Sequence, residues 1–329
     1  MNTLALRSIL LIHLLTAGVV WLIWLGLNGG LDAFALVMNN WQVALTMVFG
    51  SFIAGATSEG GGAIAFPVFT KLLQIAPMDA KVFSLAIQSV GMTAASVVII
   101  AMGVRVDWRV IRWAGLGGVP GILLGAGWLA PDLSPPVLKM SFTFLVSSFA
   151  ITLFMFNRGI RLTHLSLPQT GQNEQWIIAL AGFIGGVMSG LVGNGIDIIT
   201  FSVMVLLFHM SEKVATPTSV ILMAFNSMVG FLFHLGFTDA FTPQVQSWWL
   251  AAIPVVVIGA PLGAIVCSRL DRHAIARFLI FLIAIELVTS LWLIPLSRDV
   301  LWVSLSVGGG FALLYLMMYR EKRYRPEES

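Results

Sequence analysis

Apolar runs long enough to cross a lipid bilayer follow one another along almost the whole chain, separated by short polar stretches. The first run, Ile9–Leu27, is interrupted only by His13 and Thr16. Roughly 20 apolar residues in a helix span the hydrocarbon core. Similar runs predict helices near residues 80–103, 110–130, 135–157, 214–237, 247–268, 273–294 and 299–319. The pattern therefore predicts an all-α polytopic membrane protein, with residues 1–329 as a single transmembrane domain.

Two apolar segments are broken by glycine-rich stretches that contain a carboxylate. The first stretch runs from Gly55 to Pro67 and includes Glu59, and the second, Gly190–Asp197, begins 135 residues later. Glycine weakens a helix interior, and a carboxylate inside a membrane is costly unless it is paired or functional. Two Gly-interrupted segments at matching positions in two halves are typical of the binding site of a secondary transporter.

Identical residues recur at this constant spacing, which indicates an internal repeat. We place the first repeat at 41–157 and the second at 176–294, with one extra helix at each end. Each repeat is expected to consist of a re-entrant hairpin, broken at its glycines, and three transmembrane helices. The recurring pairs include Gly50 and Gly185, Gly55 and Gly190, Gly60 and Gly195, Phe66 and Phe201, and Trp113 and Trp248.

The positions of the 18 lysines and arginines favour hairpins over single crossings. If both broken segments leave the membrane on the side where they enter it, most basic residues are cytoplasmic, as the positive-inside rule requires. The two repeats are then inverted, which supplies one conformation open to each side. This topology predicts a multi-pass protein of the cell inner (plasma) membrane with both termini cytoplasmic and residues 320–329 as a basic tail. The basic residues left on the outer side are Lys71, Lys81, Lys139 and Arg298.

The composition supports a membrane protein and narrows its partners. Hydrophobic residues make up 58% of the chain and charged residues 10%, against about 45–50% and about 25% in soluble domains. The net charge of +3 reflects basic loops, so the expected partners are the lipid bilayer and a small anionic substrate, not nucleic acid. A homodimer is left open. The single cysteine, Cys267, excludes an intrachain disulfide and a cysteine metal cluster, and no cofactor is expected.

The hairpin tips are the candidate binding site. A backbone break directly after Glu59 would leave the N-terminus of a short helix in the middle of the membrane. Unpaired N–H groups at such a terminus attract anions. We therefore predict a substrate site formed by the tips and by the helices that follow them. Its candidate residues are Thr57, Ser58, Gly60, Gly61, Gly62, Gln88, Asn194, Gly195 and Asn226.

Glu59 and Asp197 are the candidate coupling residues. Two carboxylates beside an anion site repel the ligand unless they hold a proton or Na⁺, so H⁺ and Na⁺ are the expected coupling ions. The alternative is that each carboxylate caps its own half-helix by accepting backbone N–H bonds. A passive anion channel with the same tips as its filter also stays open. An intramembrane enzyme that uses both carboxylates is less favoured, because the chain has no HExxH or GxSxG motif; no catalytic or metal-binding residue is therefore expected.

The duplicated glycine element resembles that of the TauE/SafE sulfite exporter family, over roughly residues 41–295. Members open each half with a G-x-x-x-x-G…G-x-G-G-G element followed by an apolar stretch, a proline and an A-V-x-T-S-like segment. The first half here has Gly50, Gly55, Glu59-Gly60-Gly61-Gly62 and Pro67, followed by Ala80-Lys81-Val82-Phe83-Ser84. The second half has Gly185, Gly190 and Gly193-Asn194-Gly195, followed by Val214-Ala215-Thr216-Pro217-Thr218-Ser219. The resemblance implies ion-coupled transport of small organic or sulfur-containing anions such as sulfite, sulfoacetate or other sulfonates.

Overall fold

The computed structural model describes residues 3–60, 68–130, 133–157, 162–168 and 171–326. Within these ranges the chain forms twelve α-helices and no β-strand. The helices are α1 (Thr3–Leu27), α2 (Ala33–Asn39), α3 (Trp41–Ala56), α4 (Pro77–Ala101), α5 (Trp108–Leu124), α6 (Pro135–Phe156), α7 (Gln172–Val192), α8 (Ile196–Ser202), α9 (Glu212–Phe237), α10 (Pro243–Arg269), α11 (Arg272–Leu293) and α12 (Arg298–Arg320). Single π-helical turns lie at Val68–Leu72, Gly125–Leu129 and Val203–Leu207.

Nine helices in the described ranges are long and apolar enough to cross a membrane, which confirms the all-α polytopic class. They are α1, α4, α5 with its π turn, α6, α7 and α9 to α12. The helix α3 and the segment Ile196–Leu207 are shorter. At 1.5 Å per residue these two cover only about 24 Å and about 18 Å, less than the roughly 30 Å of the hydrocarbon core.

The second broken segment is a hairpin. Helices α7 and α8 are joined by only Gly193, Asn194 and Gly195, and they pack against each other. Ile196 returns so close to Gly185 that a Cβ atom on that glycine would lie 2.6 Å from its Cα atom. Gly193 and Gly195 have φ angles of 91° and 149°, which favour glycine because a side chain would be strained there. For the first segment, the return after Gly60 lies outside the described residues.

The helix boundaries recur 135 residues apart. Helix α4 begins at Pro77 and α9 at Glu212, and the π turns begin at Val68 and Val203. The unusual backbone conformations recur at the same spacing, because Gly60 and Gly195 both have positive φ, as do Gln74 and His209.

Helices at equivalent positions in the two halves also pack against equivalent partners. Helix α3 packs on α10, whereas its counterpart α7 packs on α5, the counterpart of α10; α4 packs on its own counterpart α9. This reciprocity favours the internal repeat, and the exact repeat boundaries stay a prediction.

Glycines allow these helix pairs to approach within backbone contact. A Cβ atom on Gly121 of α5 would lie 2.2 Å from the carbonyl oxygen of Phe183 in α7. On α3, a Cβ atom at Gly55 would lie 1.9 Å from the carbonyl oxygen of Ala260 in α10. Small residues commonly serve this purpose between membrane helices. Packing therefore accounts for these glycines, and the two close pairs hold the tips in place.

Candidate functional site

The two broken segments meet in the interior of the protein. Asn194 Nδ2 donates a hydrogen bond to the backbone oxygen of Glu59 at 3.0 Å, and these two residues occupy equivalent positions in the two halves. A Cβ atom on Gly60 would lie 3.5 Å from Asp197 Oδ2, so the second carboxylate also reaches this junction. Glu59, Asn194 and Asp197 are all buried. The residues predicted to form the centre of the site are thus brought together.

A cavity of about 100 Å³ lies beside this junction. Its walls come from α3, α4, α6, the end of α7 and α10, and its mouth is at the starts of α4 and α6, where Met78 and Leu133 are exposed. Most of the wall is apolar. The polar side chains that line it belong to Ser51, Lys81, Ser84, Gln88, Lys139 and Asn194. Two of these six side chains carry a positive charge, so the part of the lining that the structure describes favours an anion over a cation.

The lysines of the cavity are the main feature that the sequence did not predict. In the topology prediction, Lys81 and Lys139 served only to mark the outer side of the membrane. Both are in fact buried, with exposures of 6% and 7%. Lys139 Nζ lies 2.5 Å from Glu286 Oε1 on α11, which identifies the partner of that intramembrane carboxylate. The available signal was the position of each lysine inside an apolar run, since an ionisable residue there is a functional candidate by default.

Gln88 connects the first repeat to the tip of the second. Its Nε2 atom donates to the carbonyl oxygen of Gly193 at 3.2 Å and lies 2.7 Å from Ser84 Oγ. Gln88 and Asn194 are the predicted site residues that line the cavity. Thr57, Ser58, Gly60, Gly195 and Asn226 are predicted site residues that are buried without lining it, and Gly61 and Gly62 lie outside the described residues.

The start of α8 does not offer the free N–H groups expected at a tip. The N–H of Gly195 donates to Asp197 Oδ1 at 3.0 Å, and that of Ile196 donates to Ser189 Oγ at 3.0 Å. The expectation is wrong for these two groups because buried N–H groups are normally satisfied, and here neighbouring side chains supply the acceptors. Asp197 thus behaves partly as the capping alternative describes.

Glu59 differs from Asp197. Its two carboxyl oxygens accept no backbone N–H from the residues that the structure describes, although the side chain is fully buried. Its polar neighbour is the carboxyl group of Glu286. The charged groups whose fields act on it are first Glu286, then Lys139 and Asp197. Helix capping therefore does not account for this carboxyl group, because no backbone N–H of the described residues bonds to it.

The opposite end of the molecule is closed by polar contacts. Asp107, directly before α5, accepts the N–H of Leu167 at 2.7 Å and pairs with Arg109 Nη2 at 3.0 Å. Although burial opposes ionisation of Asp107, its hydrogen bonds with Arg109 and Leu167 hold its pKa below the usual value. Helix α5 runs from this network to the neighbourhood of Ala130, which lines the cavity, so network and cavity lie at opposite ends of one helix.

The C-terminal segment contributes a second contact at the closed end. Tyr324 Oη donates to Glu174 Oε1 at 2.7 Å near the start of α7, and the backbone oxygen of Tyr324 lies 3.0 Å from His164 Nε2. Burial, together with the hydrogen bond to the Glu174 carboxylate, raises the pKa of Tyr324 to about 12. The tail therefore binds both the connector between the repeats and the first arm of the second hairpin.

Long apolar helices that surround a cavity with two lysines in its wall define the chain as a polytopic membrane protein. The family model described as sulfite exporter TauE/SafE matches residues 43–289, which is most of the chain. No curated protein and no solved structure matches the chain significantly. The chain therefore belongs to the sulfite exporter TauE/SafE family, which confirms the resemblance seen in the sequence. Membership in this transporter family implies membrane transport of sulfur-containing anions.

Proposed function

We propose that the protein is a secondary transporter of small sulfur-containing or organic anions in the cell inner (plasma) membrane, with both termini cytoplasmic. Sulfite, sulfoacetate and other sulfonates are the substrate class, and H⁺ or Na⁺ is the coupling ion. The observation that carries the proposal is the cavity beside the junction of the two broken segments, with Lys81 and Lys139 in its wall.

The size and charge of the cavity fit this class of solute. A volume of about 100 Å³ holds several water molecules and hence a small solute. An ammonium group in a largely apolar wall attracts an anion more strongly than one in water, because the local dielectric constant is lower. Ser84, Gln88 and Asn194 add hydroxyl and amide groups that can bond to sulfonate or sulfite oxygens.

Alternating access between inverted repeats is the proposed mechanism. The cavity is open at the starts of α4 and α6, and in our topology this is the outer side. The positions that correspond to Lys81, Ser84 and Gly91 in the second half are Thr216, Ser219 and Asn226, all of which are at most 1% exposed. The first half therefore lines a cavity of about 100 Å³, whereas Thr216 in the second half lines a pocket of only about 10 Å³. This asymmetry is expected of a carrier in one of its two states.

Counterflow in proteoliposomes tests the proposal and separates it from the channel alternative. Vesicles are loaded with unlabelled sulfite or sulfoacetate, and uptake of the same labelled anion from outside is measured. A carrier gives faster, transient accumulation of label when unlabelled anion is inside. A channel gives only equilibration, and an inactive panel of sulfite, sulfonates and small carboxylates would exclude this substrate class.

The variant Gln88→Ala links this activity to the cavity. Removing the amide leaves the carbonyl of Gly193 without its donor and deprives the substrate of a contact, so we expect the half-saturating concentration to rise roughly tenfold, equivalent to about 1.4 kcal/mol. Gln42→Ala on α3 is the matched control, since Gln42 is exposed and away from the cavity lining. Equal effects of the two substitutions would argue against the cavity as the binding site.

A further inference from the structure

The cavity and the buried carboxylates are connected through one lysine. Lys139 lines the cavity, and its ammonium group is held by Glu286. Glu286 also lies 3.3 Å from Thr143 Oγ1 and is 2% exposed. The same lysine therefore lines the cavity and neutralises Glu286.

Among the residues that the structure describes, the buried carboxyl groups of Glu59 and Glu286 share one ammonium group, that of Lys139. Of the charged groups that the structure describes, Glu286 acts most strongly on Glu59, and both side chains are buried. Asp197 adds a third carboxyl group that acts more weakly on Glu59, and its Oδ1 accepts the N–H of Gly195. An uncompensated charge in an apolar interior is costly, and like charges that share a site are relieved when one of them binds a proton.

Binding of an anion increases this imbalance. If the anion takes the ammonium group of Lys139 as its counter-charge, Glu286 loses the partner that compensates it. One additional proton on the pair Glu59 and Glu286 restores the charge of the buried cluster, since the anion adds one negative charge and the proton one positive charge. No further co-reactant is needed, and the proton comes from water at the mouth of the cavity.

We propose that Lys139 couples binding of the anion to uptake of a proton. Its ammonium group leaves Glu286 and pairs with the anion, and the carboxyl pair of Glu59 and Glu286 takes up one proton. This inference rests on the proposed function and makes it specific. The coupling ion is H⁺, the coupling pair is Glu59 with Glu286, and Lys139 is a binding residue that links the two events. Lys81 binds the anion without taking part in the exchange, because the described residues give it no carboxylate partner.

Proton uptake on binding tests the exchange directly. The purified full-length protein in lightly buffered detergent solution is mixed with methanesulfonate, whose charge does not change with pH, and a pH dye reports protons taken up. Calorimetry gives the amount of anion bound under the same conditions. We expect close to one proton per bound anion for the unaltered protein. Binding that requires Na⁺ and takes up no proton would overturn the inference.

Matched substitutions separate the two lysines. Lys139→Gln is expected to weaken binding by about tenfold or more and to abolish proton uptake per bound anion, whereas Lys81→Gln weakens binding but keeps close to one proton per anion. The double variant Glu59→Gln with Glu286→Gln keeps anion binding and loses proton uptake. If Lys139→Gln retains the proton, the exchange is wrong.

The outcomes distinguish this inference from the proposed function. If the unaltered protein binds methanesulfonate, sulfite or sulfoacetate but takes up no proton, the coupling alone fails. If it binds none of the three, the proposed substrate class fails and the coupling falls with it. Because the unaltered protein decides both points, a variant that does not fold leaves the test intact.

Discussion

Asp107 illustrates how one buried carboxylate can hold the closed end of the molecule together. It is 4% exposed and bonds to both the backbone of Leu167 in the connector and the guanidinium of Arg109. Its neighbour Thr218 on α9 accepts the backbone N–H of Asp107 at 3.0 Å. Three parts of the chain, namely the start of α5, the connector and α9, therefore meet at this residue.

We expect Asp107→Asn to destabilise the protein by about 1–3 kcal/mol, because buried donors lose a charged acceptor. The depressed pKa means that the stabilisation is fully present at neutral pH and is lost as the pH falls through and below the usual carboxyl range. Thermal unfolding in detergent, measured from neutral to acidic pH, should show a smaller decrease for the variant than for the unaltered protein. Asp32→Asn is the control at neutral pH, since Asp32 makes no side-chain cap bond with α2. Parallel curves for Asp107→Asn and the unaltered protein would contradict the assignment.

At the scale of residues, the sequence predicted which side chains meet where the two broken segments join, but it did not predict the positive charge in the cavity wall. Glu59 and Asn194 could be singled out because carboxylates and amides are conspicuous beside glycines in an apolar run. The contact between Lys139 and Glu286 joins positions 147 apart on α6 and α11. No local pattern indicates which helices pack together, so such a pair becomes visible only when the helices are placed.

The helix pair α5 and α7 depends on glycine at positions of backbone contact. Gly121→Ala would introduce a Cβ atom 2.2 Å from the carbonyl oxygen of Phe183, which forces the helices apart. Overpacking of this kind typically costs about 1–3 kcal/mol. We expect a lower unfolding temperature in detergent and reduced counterflow, because α7 carries the second tip. Gly309→Ala on α12 is the control, since a Cβ atom there has no atom within 4 Å among the described residues. A loss in the control equal to that of Gly121→Ala would show that backbone contact is not the cause.

The helices themselves follow closely from the hydrophobic pattern. The runs at 80–103, 110–130 and 135–157 correspond to Pro77–Ala101, Trp108–Leu129 and Pro135–Phe156. Length and apolarity suffice for such elements because a membrane helix satisfies its own backbone hydrogen bonds. The docking of Tyr324 against Glu174 was not predictable, since it joins a short polar tail to a distant helix by two specific side chains.

At the scale of the whole molecule, the paired positions Ser84 and Ser219 offer a test of alternating access. They are equivalent in the two halves; Ser84 lines the cavity, whereas Ser219 is completely buried. If the halves exchange roles, Ser219 must become accessible from the cytoplasmic side when Ser84 is closed off. The single cysteine, Cys267, is buried and can be replaced by alanine to give a background for labelling.

We therefore expect Ser84→Cys to react with a membrane-impermeant thiol reagent in right-side-out vesicles, and Ser219→Cys to react in inside-out vesicles. Any condition that raises one labelling rate should lower the other, because a single two-state equilibrium governs both. Adding sulfoacetate, which does not react with the thiol reagent, to one side provides such a condition, since a ligand shifts the equilibrium toward the state that binds it from that side. Simultaneous increases in both rates, or reaction of both cysteines from the same side, would instead indicate a continuous pore and favour the channel.

Reciprocal changes would also support the inverted topology, because two halves of the same orientation would open their equivalent positions to the same side.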